Sequence, residues 1–291
     1  MDITTFMIAV FCLIEDYLAG QCLRKRGPQP TMRDSEVLTI EVVGEFLGLD
    51  TESNIFAHFC RYYADWFPGL RKITRTTFTR QAANLWKIKQ EIWQALAQQI
   101  PHDPYLSIVD SFPVPVCRFA RAPRCRSFSS VAAYGHDEVA RQTYYGFRAH
   151  VRLAWPGVLI DCALAPANIH DTEGAEELLE DVLGFALADR NYWKPELFER
   201  LRDKGVWLLA PYKSAKREPF SWPRRLTHVR YRIETVFGQL VERFNIKRVW
   251  ARDLWHLTSR WMRKFLAHTL AVFFCAQQGL SYLSFAELVH N

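Results

Sequence analysis

Three acidic residues stand where their carboxylates could meet. Asp110 closes the run Tyr105 to Asp110 (YLSIVD), Asp189 closes Phe185 to Asp189 (FALAD), and Glu234 lies within the stretch His228 to Phe244. Both runs read as compact strands. Leu106, Ile108 and Asp110 share one face, as do Phe185, Leu187 and Asp189. Aspartates at the ends of neighbouring central strands would lie side by side, and a helix crossing that end of the sheet could bring a third carboxylate. Converging carboxylates repel at neutral pH unless cations sit between them, and oxygen-only ligation selects hard ions, Mg²⁺ or Mn²⁺. Two such ions about 3.5–4 Å apart form a clamp for in-line phosphoryl transfer. On this reasoning Asp110, Asp189 and Glu234 are metal ligands, and no covalent nucleophile is needed.

The helix that must carry Glu234 shows one apolar stripe, Ile233, Phe237, Leu240 and Phe244, spaced by four, three and four residues. Arg230 lies one turn before Glu234 and Gly238 one turn after it. Arg230 could orient Glu234, touch a phosphate or form a plain helix ion pair. Gly238 leaves bare backbone beside the carboxylate. Upstream, residues 1–100 read as all-helical: a first helix over Ile3 to Ala19, a second capped by Thr31, a third from Ser53 to Trp66, and a long fourth from Thr77 to Ile100. Its entry is basic (Arg71, Lys72, Arg75, Arg80), which suits a helical region that contacts DNA ends or a plain bundle. After Pro101 and Pro104 the period turns strand-like. The first strand ends at Pro113 and Pro115, a hairpin over Tyr144 to Leu153 and Val158 to Leu164 turns at Trp155-Pro156-Gly157, and a helix from Asp171, its N-cap, precedes the second aspartate strand. A helix near Pro195 to Asp203 and a strand over Val206 to Ala210 follow. The predicted class is α/β: a mixed sheet with flanking helices over 101–291, C-terminal helices included, preceded by the helical region.

Net charge is +6, and its distribution says more than its size. Bases crowd the chain around the Glu234 helix, and a second group follows the first strand. Arg118, Arg121, Arg124, Lys213, Lys216, Arg224 and Arg225, with Arg230, are the residues expected near phosphates. The seven cysteines form no Cys-x-x-Cys pair, which speaks against structural zinc or a disulfide framework and for a reducing cytosol. Phe6 to Ile14 lacks the basic flank of a signal peptide, and Phe265 to Ala276 is too short to span a bilayer, so it reads as a buried helix. Asp161 reads as a solvent-facing strand residue and His150 as a hydrogen-bonded side chain. No Gly-x-Ser-x-Gly elbow surrounds Ser111 and no P-loop occurs.

Five ordered blocks carry a resemblance: Asp110-Ser111-Phe112-Pro113, Tyr145-Gly146-Phe147-Arg148-Ala149-His150, Asn168-Ile169-His170-Asp171, Ala188-Asp189-Arg190-Asn191-Tyr192, and Arg230-Tyr231-Arg232-Ile233-Glu234-Thr235-Val236-Phe237. Together they resemble bacterial insertion-sequence transposases with a DDE triad, most of all the nine-eighty-two family of insertion sequences. The second aspartate block departs from that family's usual Asp-Lys-Gly-Tyr. Arginine keeps the charge there, and asparagine tolerates a left-handed backbone. The resemblance implies a ribonuclease-H-like core, two divalent ions (Mg²⁺ or Mn²⁺), binding to terminal inverted repeats, and cleavage followed by joining of 3′ ends to target DNA. It also implies a homodimer on double-stranded DNA, in the bacterial cytoplasm and at the nucleoid, with no membrane. A metal-dependent nuclease without strand transfer and an inactive DNA-binding descendant share the same core.

Overall fold

The computed structural model describes residues 1–24, 26–138, 140–214 and 221–290, so Lys216 lies outside the described residues. The chain forms two compact units. One, the helical unit, comprises Met1–Gln99, Leu240–Ile246 and Asp253–Asn291; the other, the sheet unit, comprises Ile100–Gln239 and Lys247–Arg252.

The helical unit contains α1 (Ile3–Leu18), α2 (Asp34–Phe46), α3 (Glu52–Tyr62), α4 (Arg75–Asn84), α5 (Trp86–Gln99), α9 (Leu254–Gln277) and α10 (Phe285–Leu288). Side-chain caps start several of them: Asp2 accepts from the Thr5 amide at 2.8 Å, and Thr51 from the Asn54 amide at 3.1 Å. Thr31 does not cap α2. That helix starts three residues later, where the Glu36 carboxylate takes the Arg33 amide at 2.8 Å. The single long helix expected from Thr77 to Ile100 is two, interrupted at Leu85, and Thr74 caps the first. The C-terminal helices, grouped by sequence with the second region, cluster instead with the N-terminal ones. The reason is apolar demand: α9 is buried along most of its length, and its Phe265 ring lies 5.2 Å from that of Trp93 on α5.

Inside this unit α2 is buried almost all round, as a helix apolar on every side should be, yet it carries Glu41 and Glu45. Lys89 from α5 reaches Glu41 at 2.5 Å; Arg263 reaches Glu45 at 2.5 Å and Lys264 reaches it at 2.8 Å. Glu52 pairs with Arg260 and, at 3.3 Å, with Arg263. Although burial raises it, Arg263 and Arg260 hold the Glu52 carboxyl down to about 2. No described helix is long and apolar enough to cross a membrane.

The sheet unit holds β1 (Asp103–Pro115), β2 (Ala133–Asp137), β3 (Gln142–Trp155), β4 (Val158–Pro166), β5 (Gly184–Leu187) and β6 (Val206–Leu209), with α6 (Asp171–Leu178), α7 (Pro195–Asp203) and α8 (Arg224–Gly238). Strand β3 is central to the antiparallel half: β1 pairs along one side, while β4 and then β2 follow one another along the other. Strands β5 and β6 continue the sheet beyond β1 in parallel. The order β4-β3-β1-β5-β6, three antiparallel strands and then two parallel ones reached through helices, is the ribonuclease-H-like arrangement.

Pro113 does not end β1, which continues to Pro115. The Val116 amide donates to the Tyr145 carbonyl at 2.9 Å, so even-numbered positions of this strand turn their donors to β3. The two prolines turn their missing donors the other way, where the pairing with β5 has already stopped at Ile108. Strand β2 was not foreseen: Ala133-Tyr134-Gly135-His136-Asp137 has no apolar alternation. Its Gly135 is required by the close approach of the Ala167 carbonyl, 2.3 Å from where a Cβ would sit.

Candidate active site

Asp110 and Asp189 come together as their strands require. Ile108 of β1 pairs with Leu187 of β5, and each aspartate lies two residues further on, on the same face. Phe112 continues that face and packs edge-on against Phe237 of α8, with ring centroids 4.9 Å apart, so α8 crosses the sheet on the side to which Asp110 points. Burial pushes the Asp110 carboxyl up to about 7; Asp189 and Asp171 push the same way, against the Ser111 amide and Arg230. Asp189 is raised too, first by burial and also by Asp171, while the Asn191 amide and Arg230 oppose the rise. Each aspartate holds a local amide: Asp110 takes that of Ser111 at 2.7 Å, and Asp189 caps a 3-10 turn by taking that of Asn191 at 2.8 Å. Asn191 is not left-handed; its neighbour Arg190 instead ties the turn to the Tyr212 carbonyl at 2.6 Å.

Glu234 sits on α8, exposed, and pairs with Arg230 at 3.1 Å. Arg230 itself is half-buried and acts electrostatically on both aspartates. Thus Arg230 links the three acids, but among the described residues no three His, Cys, Asp or Glu side chains are gathered closely enough to hold one ion. The stripe expected on this helix is buried at Ile233 and Leu240, and Val236 joins it while Phe237 is half-buried. Beyond α8 the helix widens into a π-helical turn, Gln239–Arg243. A Cβ on Gly238 would meet nothing within 4 Å, so that backbone is open.

The opposite face of the sheet holds a network that sequence reasoning missed. Asp171 is not the N-cap of α6; the His170 ring takes the Thr172 amide at 3.3 Å. That frees the buried Asp171 carboxylate to accept from Arg148 at 2.7 Å and from the Ser111 hydroxyl at 2.5 Å, while Arg148 also donates to the His136 carbonyl at 2.8 Å. Burial, with Asp110, Asp171 and Asp189 nearby, keeps the adjacent Tyr192 phenol far above its usual range. The signal was present in sequence: two polar residues, His170 and Asp171, share one helix start, and only one is needed to cap it. His150 is not a satisfied hydrogen-bonding side chain. Neither ring nitrogen has a partner among the described residues, burial pushes the imidazole down to about 4, and the ring lies against Gly174, 2.3 Å from where a Cβ would sit. Asp161 is half-buried, not solvent-facing, and its carboxyl is raised by burial.

Of the expected phosphate-facing bases, Arg118, Arg121 and Arg124 are exposed in the connection between β1 and β2, and Lys213 is exposed after β6. Arg224 and Arg225 are exposed in the first turn of α8, where positive charge opposes the helix dipole by about 0.3–1 kcal/mol.

In sequence the chain matches no curated protein. Among solved structures it is similar to piggyBac transposase in a synaptic complex with hairpin DNA, with 9% identity, a TM-score of 0.49, and coverage of 98% of this chain and 76% of that one. The family model described as "Transposase DDE domain" matches residues 102–253, more than half of the chain and nearly all of the sheet unit. With two aspartates on one face of neighbouring parallel strands and a family model spanning both, the chain belongs to the DDE-domain transposase family.

Proposed function

We propose that the protein is a DNA transposase of the nine-eighty-two family of bacterial insertion sequences. It cuts at the terminal inverted repeats of its element and joins the freed 3′ ends to target DNA. The observation that carries this reading is the juxtaposition of Asp110 and Asp189 on one face of adjacent parallel strands, beneath the helix that bears Glu234. The donor set fits hard divalent ions: it is all carboxylate oxygen, and the two aspartates lack a full complement of positive charge. Asp110, Asp189 and Glu234 would hold two Mg²⁺ or Mn²⁺ ions, which activate the attacking oxygen and stabilise the leaving one. Arg230 serves as the resident cation that limits repulsion between the aspartates, and it orients Glu234 through their ion pair. Arg118, Arg121, Arg124, Lys213, Lys216, Arg224 and Arg225 bind the DNA backbone, and the helical unit contributes to binding the element ends. A homodimer holding two ends on the nucleoid completes the reading by analogy.

Labelled element ends, a plasmid and Mg²⁺ test it. Joined products are expected; cut ends alone would indicate a nuclease. Asp110→Asn, Asp189→Asn and Glu234→Gln should each abolish cutting while DNA binding persists, and loss of binding in all three would overturn the metal role. One observation favours an inactive DNA-binding descendant: Glu234 pairs with Arg230 and does not join the aspartates. Any metal-dependent turnover removes that alternative.

A further inference from the structure

The connection from β1 into β2 and β2 itself carry two large exposed rings that the proposed chemistry does not use. Phe119 is 54% exposed and Tyr134 48%. They pack edge-on at 6.1 Å, and Tyr134 rests on the buried Tyr145 at 5.1 Å, so the pair is held in place while its outer surface stays bare. Val116 to His136 contains four arginines and no acid; Arg118 precedes Phe119 directly and Arg121 follows it by two residues. Aromatic faces set among arginines match a partner that is both polyanionic and rich in π surface.

Register places this pair relative to the aspartates. Asp110 pairs with Val151 of β3, and Tyr134 pairs with Tyr145. Val151 and Tyr145 are an even number of residues apart, so Asp110 and Tyr134 share the face crossed by α8. Six residues of strand span about 20 Å. One DNA strand advances ~3.4 Å per nucleotide, so that distance is about six nucleotides. In duplex the base faces are stacked and closed to side chains; only an unpaired base can use an aromatic platform.

We propose that Phe119 and Tyr134 form a stacking platform for an unpaired base about six nucleotides from the phosphate held at Asp110 and Asp189, with Arg118 and Arg121 on the flanking phosphates. The proposal rests on the DNA-transposase reading and specifies how that site takes its DNA. The test uses the full-length protein, a fluorescein-labelled duplex, and the same duplex carrying one unpaired 2-aminopurine. The wild type should bind the second about tenfold tighter and quench the 2-aminopurine. The Phe119→Ala/Tyr134→Ala double variant should bind both alike, without quenching, whereas Tyr134→Phe should behave as wild type. If circular dichroism shows the double variant misfolded, Phe119→Ala alone carries the test. No preference in the wild type, or preference and quenching that survive the loss of both rings, overturns the platform. Metal-dependent cutting without such preference would overturn it and leave the transposase reading standing. Quenching without any cutting would support the platform and remove the transposase reading.

Discussion

Glu41, Glu45 and Glu52 in the helical unit sit among Lys89, Arg260, Arg263 and Lys264, so every buried acid there meets at least one base directly. In the sheet unit Asp110 and Asp189 feel Arg230, but its direct partner is Glu234, while Arg148 is taken by Asp171. The outcome is opposite protonation behaviour. Glu52 is held down to about 2, while Asp110 is driven up to about 7. Acids that hold a fold together come with their counter-charge built in. Acids left short of it fit the cation-binding role proposed for Asp110 and Asp189.

The contrast can be broken by substitution. Glu45→Ala strands Arg263 and Lys264 without their shared partner, and removing one member of a buried pair costs about 3–5 kcal/mol. Urea denaturation should show that loss, and a change below about 1 kcal/mol would put the network on the surface-pair scale. Acid comes next. The His268 imidazole is pushed by burial from its ordinary 6.5 down to about 3, so the unfolded chain takes up a proton that the folded chain refuses. Its contribution to stability is therefore full above 6.5 and falls as pH drops toward about 3, by up to ~1.4 kcal/mol per pH unit; Glu52 adds to the fall below 4.5, while Asp110, raised to about 7, works the other way between about 7 and its ordinary 3.8. Denaturation midpoints at a series of pH values check the slope, and His268→Leu should flatten its upper part.

Smaller effects sharpen the comparison. Gly174→Ala drives a methyl into the His150 ring and should cost about 1–3 kcal/mol, with His150→Ala in the same chain restoring much of it. Asp110→Asn should move the other way. In metal-free protein it removes an unfavourable buried charge and should stabilise by about 1 kcal/mol while cutting is lost. A destabilised Asp110→Asn would mean that the carboxylate is structurally paired after all. Smallest of all, Arg200→Ala breaks an exposed pair with Glu176 at 2.8 Å and should leave the midpoint almost unmoved.

Where local pattern decides, the sequence is readable. Asp110 and Asp189 stand out because short apolar runs lead up to them, α8 because its apolar residues recur at helical spacing, and α9 because Phe265 to Ala276 is a short apolar run. What cannot be read is pairing at a distance. Glu41 and Glu45 look like the polar positions of an amphipathic helix, and nothing nearby announces that Lys89, Arg263 and Lys264 will enclose them. Asp171 has the same difficulty on a smaller scale, since its partners Ser111 and Arg148 reach it only once β1, β3 and α6 are packed. Glu234 shows the limit from the other direction: its helix was legible, but the orientation of its side chain depends on Arg230.

The helical unit draws its helices from both sides of the sheet in sequence, and this has a consequence for synthesis on the ribosome. Lys264 is 219 residues downstream of Glu45. At about 5–20 residues per second, the wait is roughly 10–40 s. Through that interval Glu45 on the nascent α2 lacks both Arg263 and Lys264, whereas Lys89, the direct partner of Glu41, is made early. The sheet unit, nearly continuous in sequence, can be released and fold before the helical unit is complete. Vectorial order would thus assemble the sheet unit first and complete the helical unit last.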